Sequence, residues 1–125
     1  MNFNKRKGLQ YESLAREYLL KQGLKCLVQN YHSRFGEIDL IMHDMDMVYF
    51  IEVKFRKDLD FGGAASSITR QKQQKIIKTA QVFMQNNRKL SHSGMRFDAL
   101  ILQQLSDKVT IEWLQNAFYA ESYHD

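Results

Sequence analysis

The sequence contains very little cysteine and no long apolar stretch. Cys26 is the only cysteine, which excludes an internal disulfide and a thiol-rich zinc site and favours a buried, small apolar residue at that position. No apolar run approaches the roughly 20 residues that a transmembrane helix needs. The basic start of the chain is not followed by the apolar segment of a signal peptide. These absences predict a soluble cytoplasmic protein without a membrane anchor.

Several common catalytic motifs are also absent. The chain contains no GxxxxGK(S/T) phosphate loop, no GxGxxG fingerprint and no GxSxG elbow, so nucleotide-driven and serine-hydrolase chemistry have no basis here. The four histidines are isolated from one another rather than placed at metal-ligand spacing. We therefore assign them to surface or polar-edge positions.

Acidic residues are missing from one long segment. Between residues 61 and 97 there is no aspartate or glutamate, whereas seven lysines and arginines lie there. The rest of the chain carries eleven basic and fourteen acidic residues and is therefore net negative, although the whole chain has a formal charge of +4. A segment whose charged residues are all basic is typical of a surface that binds a polyanion, most often nucleic acid. An ordinary solvated helix face is the alternative.

The chain length and the periodicity of its apolar residues predict one α/β domain. The 125 residues suit a single domain with a real core. We predict a mixed β-sheet flanked by α-helices, because the elements follow the order α, three β, α, β, β. Their predicted ranges are a helix over 8–22, a strand over 24–30, a hairpin over 36–57, a loop over 55–67, a helix over 67–86, and strands over 95–103 and 109–118.

The hairpin, GEIDLIMHDMDMVYFIEVKFRK, gathers charge at the end away from its turn, HDMD. If that turn holds an even number of residues, Glu37 and Asp39 lie on the same face as Glu52 and Lys54. The opposite face is then wholly apolar and carries Ile38, Leu40, Met42, Tyr49, Ile51 and Val53.

This clustering of carboxylates predicts a bound cation. Two carboxylates about 5 Å apart repel by roughly 3 kcal/mol at an effective dielectric of about 20, against roughly 0.2–1 kcal/mol for a good cross-strand pair. Lys54 supplies one positive charge for three carboxylates. A hard divalent cation such as Mg²⁺, which prefers oxygen ligands and keeps several waters, would supply the rest. An exposed Glu-Lys ion pair on a strand is the plainer reading of the same residues.

The lysines of the second predicted helix lie outside or at the border of its apolar face. At 100° per residue its apolar arc, formed by Ile76, Ile77, Ala80, Phe83 and Met84, faces the core. Lys75 and Lys78 then point outward. Lys72 lies at the border of the arc, from which a long side chain could reach a site at the edge of the sheet.

The hairpin motif resembles a known family. GEIDLI, followed after a short turn by FIEVKFR, is similar to the paired signature of the PD-(D/E)xK nuclease superfamily, and more closely to that of the YraN-like family of predicted endonucleases. The resemblance extends over nearly the whole chain. Its further positions are Gly8, Glu12, Asn30, Phe61-Gly62, Lys72, Ala80 and Arg96-Phe97-Asp98.

The resemblance implies a restriction-endonuclease-like core over residues 1–125, related to archaeal Holliday-junction resolvases. Asp39 and Glu52 would ligate Mg²⁺ or Mn²⁺, Lys54 would serve the nucleophilic water, and Glu12 would approach from the first helix. Glu37 is a weaker candidate for a supporting role. Lys72, Arg56 and Lys75 would bind the substrate, and Asp98 would be a structural hydrogen-bond acceptor.

The function implied is a divalent-metal-dependent endonuclease acting on DNA, including branched or recombination intermediates. A homodimer is compatible with this reading, because a junction presents two symmetric strands to resolvase-like enzymes. A non-catalytic nucleic-acid-binding module that retains the fold is the alternative, and RNA is the less favoured substrate.

Overall fold

The computed structural model describes residues 3–57 and 68–120. Two helices and five strands make up this part of the chain. The elements are α1 (Phe3–Lys21), β1 (Lys25–Ser33), β2 (Gly36–Asp44), β3 (Met47–Lys57), α2 (Arg70–Gln85), a short 3₁₀ turn (Arg88–Leu90), β4 (Gly94–Leu105) and β5 (Lys108–Phe118).

The five strands form one mixed sheet in the order β1-β2-β3-β4-β5. All neighbouring strands are antiparallel except β3 and β4, which run parallel. Parallel neighbours need a crossover connection, and α2 lies in the segment that joins them. The predicted α/β fold, a mixed sheet flanked by helices, is confirmed and is consistent with a restriction-endonuclease-like architecture.

Each face of the sheet is covered by one helix. On one face, Ile76, Ile77, Ala80 and Phe83 of α2 pack with Phe50 and its neighbours in the α2-side cluster. On the other face, Ala15 and Leu19 of α1 pack with residues such as Leu40 and Ile51 in the α1-side cluster. The apolar arc predicted for α2 is therefore confirmed, and burial on both faces explains why the central strands are so rich in apolar residues.

The element boundaries differ from the predicted ones for local reasons. The second helix begins at Arg70 rather than at 67, because the Thr69 side chain accepts a hydrogen bond from the backbone N–H of Lys72 and caps the helix. Strand β1 continues to Ser33, beyond its predicted end at residue 30. The predicted loop over 55–67 is shortened, since β3 extends to Lys57, and its remainder lies outside the described residues.

The first helix ends at the predicted glycine. Gly23 has φ +98°, and its N–H donates to the carbonyl of Leu20 while the N–H of Leu24 donates to that of Leu19. This bonding pattern is the Schellman motif, which favours glycine because L side chains rarely adopt a left-handed backbone. Cys26 follows on β1 and is a free, only partly buried thiol, so its expected full burial is wrong.

The hairpin prediction is confirmed in its register and wrong at one residue. Asp44 pairs with Met47, which leaves a turn of two residues. However, Ile38 packs in the α2-side cluster with Ile41, whereas Leu40 packs in the α1-side cluster. Strict alternation would place Ile38 with Leu40, so the alternation of β2 is interrupted between these two residues, at Asp39.

No helix among the described residues is both long and apolar enough to cross a membrane.

Candidate active site

Five of the residues singled out in the sequence line one pocket at the edge of the sheet. The pocket has a volume of about 250 Å³ and lies between α1, β2, β3 and α2. Glu12, Asp39, Glu52, Lys54 and Lys72 all contribute to its lining. Residues that are far apart in sequence are thus brought together, and only the fold achieves this.

Asp39 enters the pocket because the strand pairing is interrupted around it. The β2–β3 ladder runs as far as Leu40 opposite Ile51, and beyond that pair the Asp39 carboxylate accepts a hydrogen bond of 2.8 Å from the backbone N–H of Val53. On the other side of β2, Asn30 has φ +57°, a left-handed conformation that asparagine tolerates better than most residues. The side chain of Asp39 therefore replaces a backbone acceptor at this point.

The local environment opposes ionisation of Asp39. Burial, followed by repulsion from the Glu52 carboxylate, raises the pKa of Asp39 to about 8, and the hydrogen bond from Val53 only partly opposes the shift. Glu52 is itself 7% exposed. Two buried carboxyl groups in contact cannot both ionise easily unless a cation joins them.

Glu12 brings a third carboxylate to the same place. Burial, then repulsion from Glu37 and Glu52, raises the pKa of Glu12. Its Oε1 atom is buried and has no hydrogen-bond partner among the described residues. A buried acceptor without a partner costs about 1–3 kcal/mol, so this atom is suited to a ligand that the protein does not itself provide.

Two lysines stand beside the carboxylates. The Nζ atom of Lys72 lies 3.1 Å from Oε1 of Glu52, which confirms that Lys72 reaches the site from the border of α2. Although burial opposes it, the Glu52 carboxylate raises the pKa of Lys72. The opposite holds for Lys54, whose pKa is lowered by burial and then by the adjacent Lys72. Lys72 therefore holds its proton more tightly than an ordinary lysine, and Lys54 releases its proton more readily.

Two aromatic side chains that sequence reasoning missed form a wall of the pocket. The rings of Tyr11 and Phe55 stack with centroids 3.9 Å apart and planes 11° from parallel. In the sequence, Tyr11 directly precedes Glu12 and Phe55 directly follows Lys54, so each aromatic residue is next to a charged residue of the site. That adjacency was the available signal, and it was hidden because Phe55 was assigned to a loop.

The donor atoms suit a hard cation. Asp39, Glu52 and Glu12 offer oxygen only, which is the preference of Mg²⁺ and Mn²⁺. In residues 3–57 and 68–120, no group of three or more histidine, cysteine or acidic side chains is placed so that it could hold a metal ion by itself. Mg²⁺ commonly takes one or two carboxylates and keeps several waters, so Asp39 and Glu52 meet that requirement, with Glu12 within electrostatic reach.

A family comparison adds an independent observation. A sequence profile of the uncharacterised protein family UPF0102 matches residues 11–102. The chain belongs to the UPF0102 family. This confirms the predicted YraN-like membership, and the match includes all five predicted residues that line the pocket.

Curated UPF0102 relatives align over almost their full length. A UPF0102 protein of Saccharophagus degradans is 48% identical over 111 residues, covering 89% of this chain and 91% of the relative. One of Vibrio parahaemolyticus is 46% identical over 116 residues, covering 92% and 94%. One of Methylobacillus flagellatus is 46% identical over 116 residues, covering 93% and 99%. These names give family membership, so any chemistry must be argued from the site.

Three other predicted residues of this UPF0102 protein lie outside the pocket lining. The Nη2 atom of Arg56 donates to Gln103 at 2.7 Å. Lys75 is exposed and lines a neighbouring depression of about 280 Å³, which also includes Lys72 and Glu37. Glu37 is mostly exposed, and its carboxylate lies 3.2 Å from Nδ1 of His32. The structure thus separates these three from the cluster around Asp39 and Glu52.

Asp98 has the structural role predicted for it. It is fully buried on β4 and accepts hydrogen bonds from the Arg96 guanidinium, the Trp113 indole and the backbone N–H of Asn116, at 2.8–3.0 Å for the shortest contact of each. The hydrogen bond that Arg96 donates to Asp98 raises the pKa of Arg96, whose guanidinium carbon lies 4.5 Å from the centroid of the Tyr49 ring. Every described contact of this carboxylate serves the fold.

Proposed function

We propose that this UPF0102 protein is a Mg²⁺- or Mn²⁺-dependent endonuclease of the PD-(D/E)xK type that hydrolyses phosphodiester bonds in DNA, including branched intermediates. The observation that carries the proposal is that Asp39, Glu52, Lys54 and Lys72 line one pocket, in which Lys72 contacts Glu52. The resemblance of GEIDL and FIEVK to the superfamily signature supports the same reading.

The residues of the pocket have distinct roles in this proposal. Asp39 and Glu52 would hold the metal, and Glu12 would bind one of its waters through the unpartnered Oε1. When bound, the ion would supply Lewis acidity and an activated water. Lys54 would orient the attacking water and exchange a proton with it, because its lowered pKa brings the neutral amine within easier reach. Lys72 would stabilise the negative charge that grows on the phosphate.

Cleavage assays with matched variants test this proposal. The substrates are supercoiled plasmid, linear duplex, a four-way junction, single-stranded DNA and RNA, each with Mg²⁺ or Mn²⁺. We expect Asp39→Asn and Glu52→Gln to lower divalent-dependent cleavage by about 10³-fold or more, since residues that act as one unit each account for most of the rate. DNA affinity measured without metal should change little.

Glu112→Gln is the matched control, because Glu112 is an exposed carboxylate on β5 and lies outside the pocket lining. Its cleavage rate should stay within about threefold of the unmodified protein. Folded protein that leaves every substrate intact with both metals would refute the proposal, and so would full activity in Glu52→Gln.

A non-catalytic nucleic-acid-binding module is the second candidate. It is favoured by the ion pair between Lys72 and Glu52, which already neutralises one carboxylate without a metal. In that case the carboxylate variants would bind DNA normally, no cleavage would occur, and substitution of Lys75 and Lys78 would reduce the salt dependence of binding.

A further inference from the structure

The tip of the β1–β2 hairpin forms a second concave surface beside the candidate active site. Arg34 and Phe35 make up the two-residue turn between Ser33 and Gly36. Together with α2 they enclose a depression of about 570 Å³. It is lined by Arg34, Phe35, Lys78, Gln81, Val82 and Gln85.

The hairpin tip is held firmly against α2. The hydroxyls of Ser33 and Thr79 are hydrogen-bonded at 2.8 Å, and Thr79 is fully buried. The backbone N–H of Phe35 donates to the same Ser33 oxygen at 3.1 Å. Gly36 has φ +156°, which L side chains rarely adopt, and a Cβ there would lie 3.4 Å from the Cβ of Lys75. The turn is therefore fixed in place before any ligand arrives.

Two cationic groups lie over the ring of Phe35. The guanidinium carbon of Arg34 lies 4.8 Å from the ring centroid and Nζ of Lys78 lies 5.7 Å from it. Within the described part of the chain, the half-buried Phe35 belongs to neither apolar cluster. Single-stranded nucleic acids stack their bases on aromatic rings in positively charged grooves, and a base would take the place of the exposed Arg34 over this ring.

A row of lysines joins this ring to the candidate active site. Lys72, Lys75 and Lys78 follow at intervals of three residues, so they span about 9 Å along α2, which corresponds to a few nucleotides of one strand. Lys72 lines both the active-site pocket and the next depression, and Lys75 lines that depression too. No acidic residue occurs in α2, and Glu37, which borders the row, pairs with His32.

We propose that these residues, Lys72, Lys75, Lys78, Arg34 and Phe35, form a track that binds a single-stranded segment of DNA, with one unpaired base stacked on Phe35. This rests on the proposed nuclease function and narrows its substrate to DNA with an unpaired strand close to the cleaved phosphate. A base inside a duplex could not reach the ring without leaving its stack, since its faces are already covered.

Binding measurements without metal test the track separately from catalysis. Fluorescence anisotropy with a labelled oligothymidylate of about twelve nucleotides would measure affinity in EDTA. Phe35→Leu should weaken binding about tenfold, because base–aromatic stacking is lost while the side chain at this position stays apolar. Affinity for a blunt duplex should change by less than about twofold. Tyr119→Leu is the matched control, since Tyr119 is 53% exposed and follows β5 at the opposite edge of the sheet.

A spectroscopic variant gives a second measurement that a structural defect would not imitate. Phe35→Trp should retain affinity, and its fluorescence should fall when the oligonucleotide stacks on the indole. Trp113 is the only native tryptophan, so the unmodified protein provides the background signal. Retained affinity for the single strand in Phe35→Leu, or unchanged indole emission on binding, would overturn the proposal.

Charge substitution tests the path along α2. Lys78→Gln should lower the slope of log affinity against log salt by about 0.7, the value of one phosphate contact on a single strand. Lys25→Gln should leave the slope unchanged, because Lys25 is exposed at the far end of β1, about 25 Å from the tip. An equal change in both variants would contradict the proposed path.

The two proposals can fail independently. Metal-dependent cleavage that is lost in Glu52→Gln, combined with unchanged single-strand binding in Phe35→Leu, would retain the nuclease and reject the track. Tenfold weaker binding in Phe35→Leu in a protein that cleaves none of the substrates would retain the binding surface and reject the nuclease.

Discussion

Two aspartates on β2 and β4, the strands on either side of β3, have opposite surroundings. Asp98 on β4 accepts hydrogen bonds from a guanidinium, an indole and a backbone N–H. Asp39 on β2 has one backbone donor, from Val53, and faces the carboxylates of Glu52 and Glu12. Each aspartate is surrounded by protein, but only the surroundings of Asp98 offer a full set of donors and an opposite charge.

The comparison separates a carboxylate that stabilises the fold from one that the fold leaves unsatisfied. A buried charge that is paired and hydrogen-bonded becomes costly to remove. A buried carboxylate that faces like charges raises the free energy of the folded protein, and such sites concentrate where a protein binds or reacts. The same residue type therefore has contrary effects on stability at the two positions, which the following measurements can verify.

The largest expected effect is the loss of stability in Asp98→Asn. The substitution removes the charge that pairs with Arg96, and we expect the free energy of unfolding to fall by about 3–5 kcal/mol. Urea unfolding followed by circular dichroism measures it. Glu112→Gln is the control, because Glu112 is an exposed carboxylate on the adjacent β5 and should change stability by less than about 0.5 kcal/mol. If Asp98→Asn lowered the free energy of unfolding only slightly, the contrast between Asp98 and Asp39 would be refuted.

The metal-free protein should lose stability as the pH rises. The folded protein holds the Asp39 proton up to about pH 8, whereas the unfolded chain releases it near the ordinary aspartate pKa of 3.8. The folded state binds more protons across this interval, so the contribution is fully present below about pH 4 and lost as the pH passes 8. We expect the free energy of unfolding to fall by about 3–5 kcal/mol between pH 4 and pH 8 in EDTA. The fall should be much smaller in Asp39→Asn.

The substitution Asp39→Asn should stabilise the metal-free protein. An amide keeps an oxygen for the Val53 N–H and does not have to take up a proton when the chain folds, so we expect a gain of about 2–3 kcal/mol at pH 7. The same change of residue type at Asp98 is expected to lower the free energy of unfolding, so the two effects have opposite signs. Urea midpoints for both variants in EDTA test it, and destabilisation at both positions would mean that Asp39 is a structural residue.

The smallest expected effect is stabilisation by the metal. At about ten times its dissociation constant, Mg²⁺ or Mn²⁺ should raise the free energy of unfolding by about 1.4 kcal/mol. The effect should increase from pH 6 to pH 8, because the ion competes with the Asp39 proton. Isothermal titration calorimetry and unfolding at several metal concentrations measure it. An equal gain in Asp39→Asn would place the metal elsewhere.

The periodicity of the sequence was sufficient for most of the fold. An alternation of two residues predicted the hairpin and its register, and the spacing of Ile76, Ala80 and Phe83 predicted which face of α2 is buried. Ile38 was assigned to the wrong face because strict alternation assumes an unbroken ladder, whereas the pairing of β2 changes at Asp39. The start of α2 was misplaced because a single cap at Thr69 outweighed the helical pattern before it.

The site was predictable wherever one motif contains its residues. Asp39, Glu52 and Lys54 lie within a single hairpin, so their spacing was enough to place them together. Tyr11 and Phe55 were missed because their stacking joins α1 to β3, which no local pattern encodes. Arg56 was grouped with the site by its position after Lys54, but its hydrogen bond to Gln103 holds it to β4.

By itself the sequence determined the helices and strands, the hairpin register, the acid-free basic segment and the spacing of the acidic motif, because these depend on residues close together in the chain. Only the tertiary structure decided that Glu12 and Lys72 meet the hairpin carboxylates, that Asp98 is saturated with donors while Asp39 is not, and that Phe35 lies beside Lys78. The reason is physical: desolvation and the balance of donors and charges depend on every chain segment around a group.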